Sequence, residues 1–188
     1  PISSHIVFEG NRVFRNTSQG IFYEISSYGT FRNNRVGLNG NDVRALYGTN
    51  LMLSTSHNNV VTGNIVEVHP NYGNAITVVW QDRGPGRWGG NNLIEDNDIT
   101  FLGAKGLNGA GTDWLPTGLN VFATTKFRNN RYHSVKPTFD HFADRVGRGR
   151  TLRETQAAGT EAGSTIDRDV TPRKWNCDTM RDVRRTGP

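Results

Sequence analysis

Apolar and polar positions alternate in short bursts along this chain, and small polar residues cut each burst off. In HIVFEGNRVF, Ile6, Phe8 and Val13 fall between polar or small residues. Alternation of this kind marks a half-buried strand, because successive side chains of a strand point to opposite faces. Helical periodicity is nearly absent before residue 140. Between the bursts lie Asn39-Gly40-Asn41, Asn58-Asn59 and similar groups. Such residues tolerate left-handed backbone angles and make sharp corners.

The bursts repeat. FEGNRV, FRNNRV, VTGNIV, IEDNDI and FRNNRY each carry an asparagine followed two residues later by an apolar or aromatic residue. The asparagines are Asn11, Asn34, Asn64, Asn97 and Asn130, separated by 23, 30, 33 and 33 residues. The shortest spacing suits one coil of a solenoid, and the longer ones suit a coil plus an inserted loop. One coil cannot cover its own apolar side chains, so coils stack and their strands pair in parallel. Recurrent asparagines at one corner then either form a ladder of side-chain amides or act as independent turn residues.

These features predict an all-β chain, a right-handed parallel β-helix with an irregular or short-helical cap and tail. Residues 1–140 are assigned to the coils and residues 141–188 to the C-terminal cap and basic tail. RTLRETQAA is the helix-capable piece of the cap, and residues 160–188 read as extended or partly ordered. The start of the chain shows no cap, since Ile6 already belongs to a coil. Further N-terminal coils, or a partner chain, are expected to cover that edge, because unpaired strand edges invite aggregation.

Composition narrows the picture. The chain has 188 residues, enough for one domain with a core, and 10% aromatic residues, more than disordered chains carry. No apolar run approaches the roughly 18 residues of a membrane-spanning helix, and PISSHIVFEG lacks the basic and apolar regions of a signal peptide. The absence of an initial Met suggests a mature or excised fragment. Cys177 is the single cysteine, so no internal disulfide forms. Net charge is +5, and six Lys/Arg against three Asp from Arg168 onward place +3 of it in the last stretch. A basic terminus is usually a solvated one, and nothing resembles a nucleic-acid-binding signature, so nucleic acid is not an expected partner.

GIFYEISSYGTFRNNRVGLNG, the strand LMLSTSHNNVVTGNIV and VVWQDRG together resemble the secreted right-handed parallel β-helix repeat proteins of bacteria, within the pectate-lyase-like superfamily. The resemblance spans roughly residues 5 to 160. It implies a secreted or cell-surface setting and, in many members, a polysaccharide as partner. It also implies that Ca²⁺ is a possible cofactor, although no cluster of Asp on one strand face is seen; no other cofactor or metal is expected.

Aligning GIFYEIS with NLMLSTS places Glu24 over Ser54, and the next coil brings Gln81, Asp82 and Arg83 towards the same edge. Two carboxylates across a groove could serve as acid and base on a sugar, about 5–5.5 Å apart for retention and about 6.5–9.5 Å for inversion. Glu24, Asp82 and Arg83 are therefore the catalytic candidates, Arg83 as the neutralising cation, with Lys105 or His69 as substitutes in a lyase. Each has a structural alternative. Glu24 would pair with Arg32 or Arg44, Asp82 would cap its own turn, and His69 would be solvated. Asp140-His141 reads as a structural hydrogen bond.

Trp80, Trp88, Trp114 and Tyr72 lie in or beside the longer loops and, with His69, are candidates for stacking on sugar rings or for packing loops onto the coil. GPGRWG (84–89) is followed by a strand-like stretch rather than a helix, so it is a turn and not a dinucleotide loop. The five histidines show no zinc spacing. Two classes of function remain open: a carbohydrate-active enzyme of hydrolase, lyase or epimerase type, and a non-catalytic module of a spike, adhesin or surface fibre.

Overall fold

A computed structural model describes residues 3–41, 46–112, 124–143 and 149–172. The chain winds as a parallel β-helix, and each rung contributes one short strand to each of three sheets. The first rung is β1 (Val7–Glu9), β2 (Arg12–Phe14) and β3 (Ile21–Glu24), and the second is β4 (Thr30–Arg32), β5 (Arg35–Gly37) and β6 (Thr49–Ser54). The third is β7 (Val60–Thr62), β8 (Ile65–Val68) and β9 (Asn74–Trp80), and the fourth is β10 (Leu93–Glu95), β11 (Asp98–Phe101) and β12 (Asn108–Thr112). The fifth is β13 (Lys126–Arg128), β14 (Arg131–Ser134) and β15 (Phe142–Ala143). Four full turns separate β1 from β13 in the five-stranded first sheet.

Alternation explains why three-residue strands suffice. Each turns its central residue inward, and the register stacks like on like: Phe8, Phe31, Val61, Ile94 and Phe127 in the first sheet. In the second sheet Val13, Val36, Val66, Ile99, Tyr132 and Ile166 form the corresponding column. Phe8 and Phe31 lie face to face, with centroids 4.9 Å apart. Ile6, expected inside, is exposed. The third sheet turns Ile21, Tyr23, Leu51, Leu53, Ile76 and Val78 inward, so one continuous core runs along the axis.

The corner between first and second sheets has a two-residue grammar. A residue with positive φ (Gly10, Asn33, Gly63, Asp96, Asn129 or Gly163) precedes the ladder position. The next residue, Asn11, Asn34, Asn64, Asn97 or Asn130, is linked to its neighbour by side-chain amide bonds of 2.9–3.0 Å. The asparagines therefore form the ladder, and the alternative of independent turns is excluded. At the second-to-third sheet corner Asn16, Asn39 and Asn50 make another. A third, between Asn59 and Asn92, holds the remaining corner.

The C-terminal stretch is more ordered than the sequence suggested. Strand β16 (Gly149–Arg150) pairs antiparallel to β15, and helix α1 (Leu152–Ala157) starts at a capping box between Thr151 and Glu154. Beyond it β17 (Thr165–Asp167) pairs in parallel with β14, so residues 160–167 rejoin the sheet instead of trailing away. Rung-to-rung hydrogen bonding, rather than local composition, recruits this strand. The basic residues from 173 onward lie outside the described residues.

His141 is fully buried here, stacked on Phe101 at 4.0 Å, with Nδ1 at 3.0 Å from the Gly106 carbonyl and Nε2 at 2.9 Å from Ser134 Oγ. It is a structural residue, as expected of Asp140-His141. Burial holds its pKa below the ordinary 6.5. The unfolded chain therefore takes up a proton on this ring before the folded one does, and His141 costs stability as pH falls below about 6.5. The unfolding midpoint is expected to drop between pH 7 and 5.5, and to drop less in His141→Gln. Identical pH profiles would show that His141 is not responsible.

Candidate functional site

The corner between the third sheet and the next rung gathers the catalytic candidates. Glu24 ends β3 directly beside Ser54 on β6, as the sequence alignment placed them. After β9 the chain crosses back over the same edge. The backbone N–H of Gln81 donates to Thr55 Oγ1 at 3.0 Å. Arg83 Nε donates to Gln81 Oε1 at 2.8 Å, and Arg83 Nη2 donates to Glu24 Oε1 at 2.5 Å. Ser54 Oγ stands 3.5 Å from the same carboxylate oxygen.

Glu24 and Arg83 thus meet although 59 residues separate them. Among the described residues the partner of Glu24 is Arg83 rather than Arg32. Arg32 pairs with Glu9 at 2.8 Å, and Arg44 lies outside the described residues. Asp82 accepts the backbone N–H of Gly84 at 3.0 Å, which makes it the cap of its own turn. Acid–base work on a glycosidic bond needs two carboxylates facing one site; here Glu24 is engaged by a cation and Asp82 by its own backbone. Half-exposed ion pairs of this type contribute no more than about 1 kcal/mol.

Trp80 requires a correction. It is 4% exposed and belongs to the core, so it offers no face to a sugar. The period of two along β9 explains this: Ile76, Val78 and Trp80 share the inward side. Trp88 is half-buried and lies flat on His57, with centroids 4.2 Å apart and planes 10° from parallel. His57 meets the edge or face of Tyr28 at 6.0 Å, and Tyr28 stacks on His5 at 4.9 Å. One ring per rung therefore lines this corner, but most ring faces are spent on one another. Trp88 packs its loop onto the coil. Trp114 lies outside the described residues, and Lys105 is exposed.

His69 and Tyr72 do come together, at the corner between second and third sheets. Their rings stack at 3.7 Å and 11°, and His69 Nδ1 accepts from the backbone N–H of Asn71 at 3.2 Å. They wall a cavity of about 240 Å³ with Arg15, Asn16, Thr17, Leu38 and Asn41. Three successive rungs supply these groups, each at the same corner. Burial lowers the His69 pKa, so at neutral pH the imidazole is uncharged and Arg15 is the cationic lining group. The cavity is smaller than the roughly 300–1,000 Å³ that take drug-sized ligands, and suits a single ring. It offers a stacking surface, a cation, two amides and a hydroxyl.

Arg15, Asn16, Thr17, Leu38 and Asn41 were not read from the sequence as site residues. The shift of 23 residues that relates Asn11 to Asn34 also relates Arg15 to Leu38, and that repeat was the signal available. Among the described residues no three His, Cys, Asp or Glu side chains cluster as metal ligands do. No helix among them is long and apolar enough to cross a membrane. No family model matches this chain, and no characterised protein or solved structure matches it either.

Proposed function

We infer that this chain is a carbohydrate-binding β-helix, a non-catalytic module that holds one ring of an extracellular or cell-surface polysaccharide in the corner cavity. The stacked pair of His69 and Tyr72 beside Arg15 carries the reading. Sugars present an apolar face to aromatic rings and hydroxyls to amides, and a guanidinium favours a glycan bearing acidic groups. The resemblance to the pectate-lyase-like superfamily supports the polysaccharide and the secreted setting. Loops on one side of a solenoid are also where binding surfaces form.

The test is binding of the intact chain to neutral and acidic oligosaccharides by calorimetry. Tyr72→Ala is expected to weaken binding at least 10-fold, and Arg15→Ala to weaken acidic glycans selectively. Equal affinity in wild type and Tyr72→Ala, or no glycan bound, would overturn the reading. A hydrolase or lyase remains a second reading because Glu24 and Arg83 converge on one outer edge. That reading requires turnover of a glycan that Glu24→Gln and Asp82→Asn abolish; equal turnover in all three removes these residues as catalytic.

A further inference from the structure

The corner cavity carries positive charge and no negative one. None of its described lining residues is a carboxylate. Arg15 lines it from the chain just after β2, and His69 and Tyr72 line it from the chain just after β8. These three are the titratable or charged groups of the described lining. Glu67, two residues before His69 on β8, is buried and lies outside that lining. Arg32, Arg83, Arg128 and Arg131 each pair with a carboxylate, whereas Arg15 forms no ion pair among the described residues. A guanidinium without a counter-ion at a concave surface suits an anion.

His69 is set to respond to such an anion. Its Nδ1 accepts the backbone N–H of Asn71 at 3.2 Å, so the uncharged ring carries its proton on Nε2. Protonation turns Nδ1 into a donor facing another donor, and the bond to Asn71 is lost. Burial also opposes the charged ring and holds its pKa below the ordinary 6.5. The empty cavity therefore keeps His69 neutral at pH 7. An anion held there by Arg15 favours the imidazolium by Coulomb attraction, which strengthens as water is displaced. The stack on Tyr72, 3.7 Å between centroids and 11° from parallel, suits the charged ring too, because an aromatic face attracts a cation.

We propose that the cavity is a proton-coupled oxyanion site: it takes up a carboxylate or sulfate group together with a proton on His69, so that acid tightens binding. This rests on the cavity being the ligand site proposed above, and adds that the sugar bound there carries an oxyanion whose retention is set by pH. The sign follows from linkage. Binding raises the His69 pKa, so affinity climbs as pH falls through the bound value and levels off below the free one. A neutral sugar gains nothing from the proton.

Inorganic sulfate is the first probe, because its charge is constant between about pH 7.5 and about pH 5.5. In NMR titrations of the intact chain at fixed ionic strength, sulfate is expected to shift the His69 ring and Arg15 guanidinium signals. It should bind about 10-fold more tightly at the lower pH, the equivalent of one pKa unit, and move the His69 titration to higher pH. His69→Asn keeps an acceptor for the Asn71 N–H but has no titrating ring. That variant should show the weaker affinity at both pH values. Arg15→Gln should weaken binding at both; if it fails to fold, wild type and His69→Asn decide.

Equal wild-type affinity at the two pH values overturns the proposal. So does the same acid gain in His69→Asn, or sulfate that shifts only signals elsewhere. Glucose, glucuronate and glucose 6-sulfate then separate this inference from the broader reading, and the two acidic sugars show which oxyanion is taken. No sugar bound, with proton-coupled sulfate binding intact, sinks the glycan reading alone. Acidic sugars bound without pH dependence sink the proton coupling alone.

Discussion

Asn64→Ala is expected to lower the stability of this protein by on the order of 3 kcal/mol, far more than Asn11→Ala. Asn64 sits mid-ladder, fully buried. Its Oδ1 accepts from the N–H and Nδ2 of Asn34, and its Nδ2 donates to Phe31 and to Asn97 Oδ1. Alanine keeps the backbone N–H bond to Asn97 but orphans two buried donors on Asn34, each worth about 1–3 kcal/mol when left unpaired. The exposed side chain of Asn11 accepts from no described group and donates only to Asn34 Oδ1, so its loss should cost about 1 kcal/mol or less. Denaturant unfolding of both variants measures the difference. Equal losses would mean that the asparagines act as separate turn residues and not as a coupled column.

The second large effect is expected at Glu161, a fully buried carboxylate that closes the other end. It accepts from Tyr132 OH at 2.6 Å, Ser164 Oγ at 2.7 Å, Asn108 Nδ2 at 3.2 Å and Asn130 Nδ2 at 3.4 Å. Burial still outweighs these donors and raises its pKa above 4.5, while burial and the nearby carboxylate push the Tyr132 hydroxyl well above its ordinary value. Tyr132 therefore remains a donor. Glu161→Ala strands four donors at the end of the core and should cost about 3–5 kcal/mol, the range for removing one member of a buried charged network.

Glu161→Gln separates charge from hydrogen bonding. With its folded pKa raised, Glu161 favours folding most below about 4.5, and that contribution fades as pH climbs through the folded value. The glutamine variant should recover most of the alanine loss at neutral pH, and its stability should lack this decline. The histidine effect runs in the opposite direction below pH 6.5, so the difference between wild type and Glu161→Gln isolates the carboxylate. A glutamine variant as damaged as the alanine one, with the wild-type pH slope, would sink this account.

Much of the architecture was legible because a β-helix repeats local instructions. A strand of three residues needs one apolar position, and its corner needs one residue tolerant of positive φ followed by an asparagine. Gly10-Asn11, Asn33-Asn34, Gly63-Asn64, Asp96-Asn97 and Asn129-Asn130 state that rule in plain sequence. The alignment of Glu24 with Ser54 followed because the strands around them carry the same alternation without an intervening bulge.

The candidate sites were less legible, since they depend on how loops of unequal length return to the coil. Arg83 reaches Glu24 only after a crossing two rungs away, and Asp82, its neighbour, turns back on Gly84. Trp80 lies beside a loop in the sequence, as expected, but one more step of alternation along β9 sends it into the core instead of towards a ligand. His69 and Tyr72 were singled out, but the residues that make them a cavity come from two earlier rungs.

The sequence by itself determined the rung, its corner and the asparagine recurring there, because each depends on neighbours a few residues apart and on a period that stacking merely repeats. Only the tertiary structure decided that Glu161 plugs the ladder, that β17 rejoins the second sheet, and that three corners enclose a cavity. Those outcomes are set by which rung lies above which, a relation between residues tens of positions apart that no local pattern encodes.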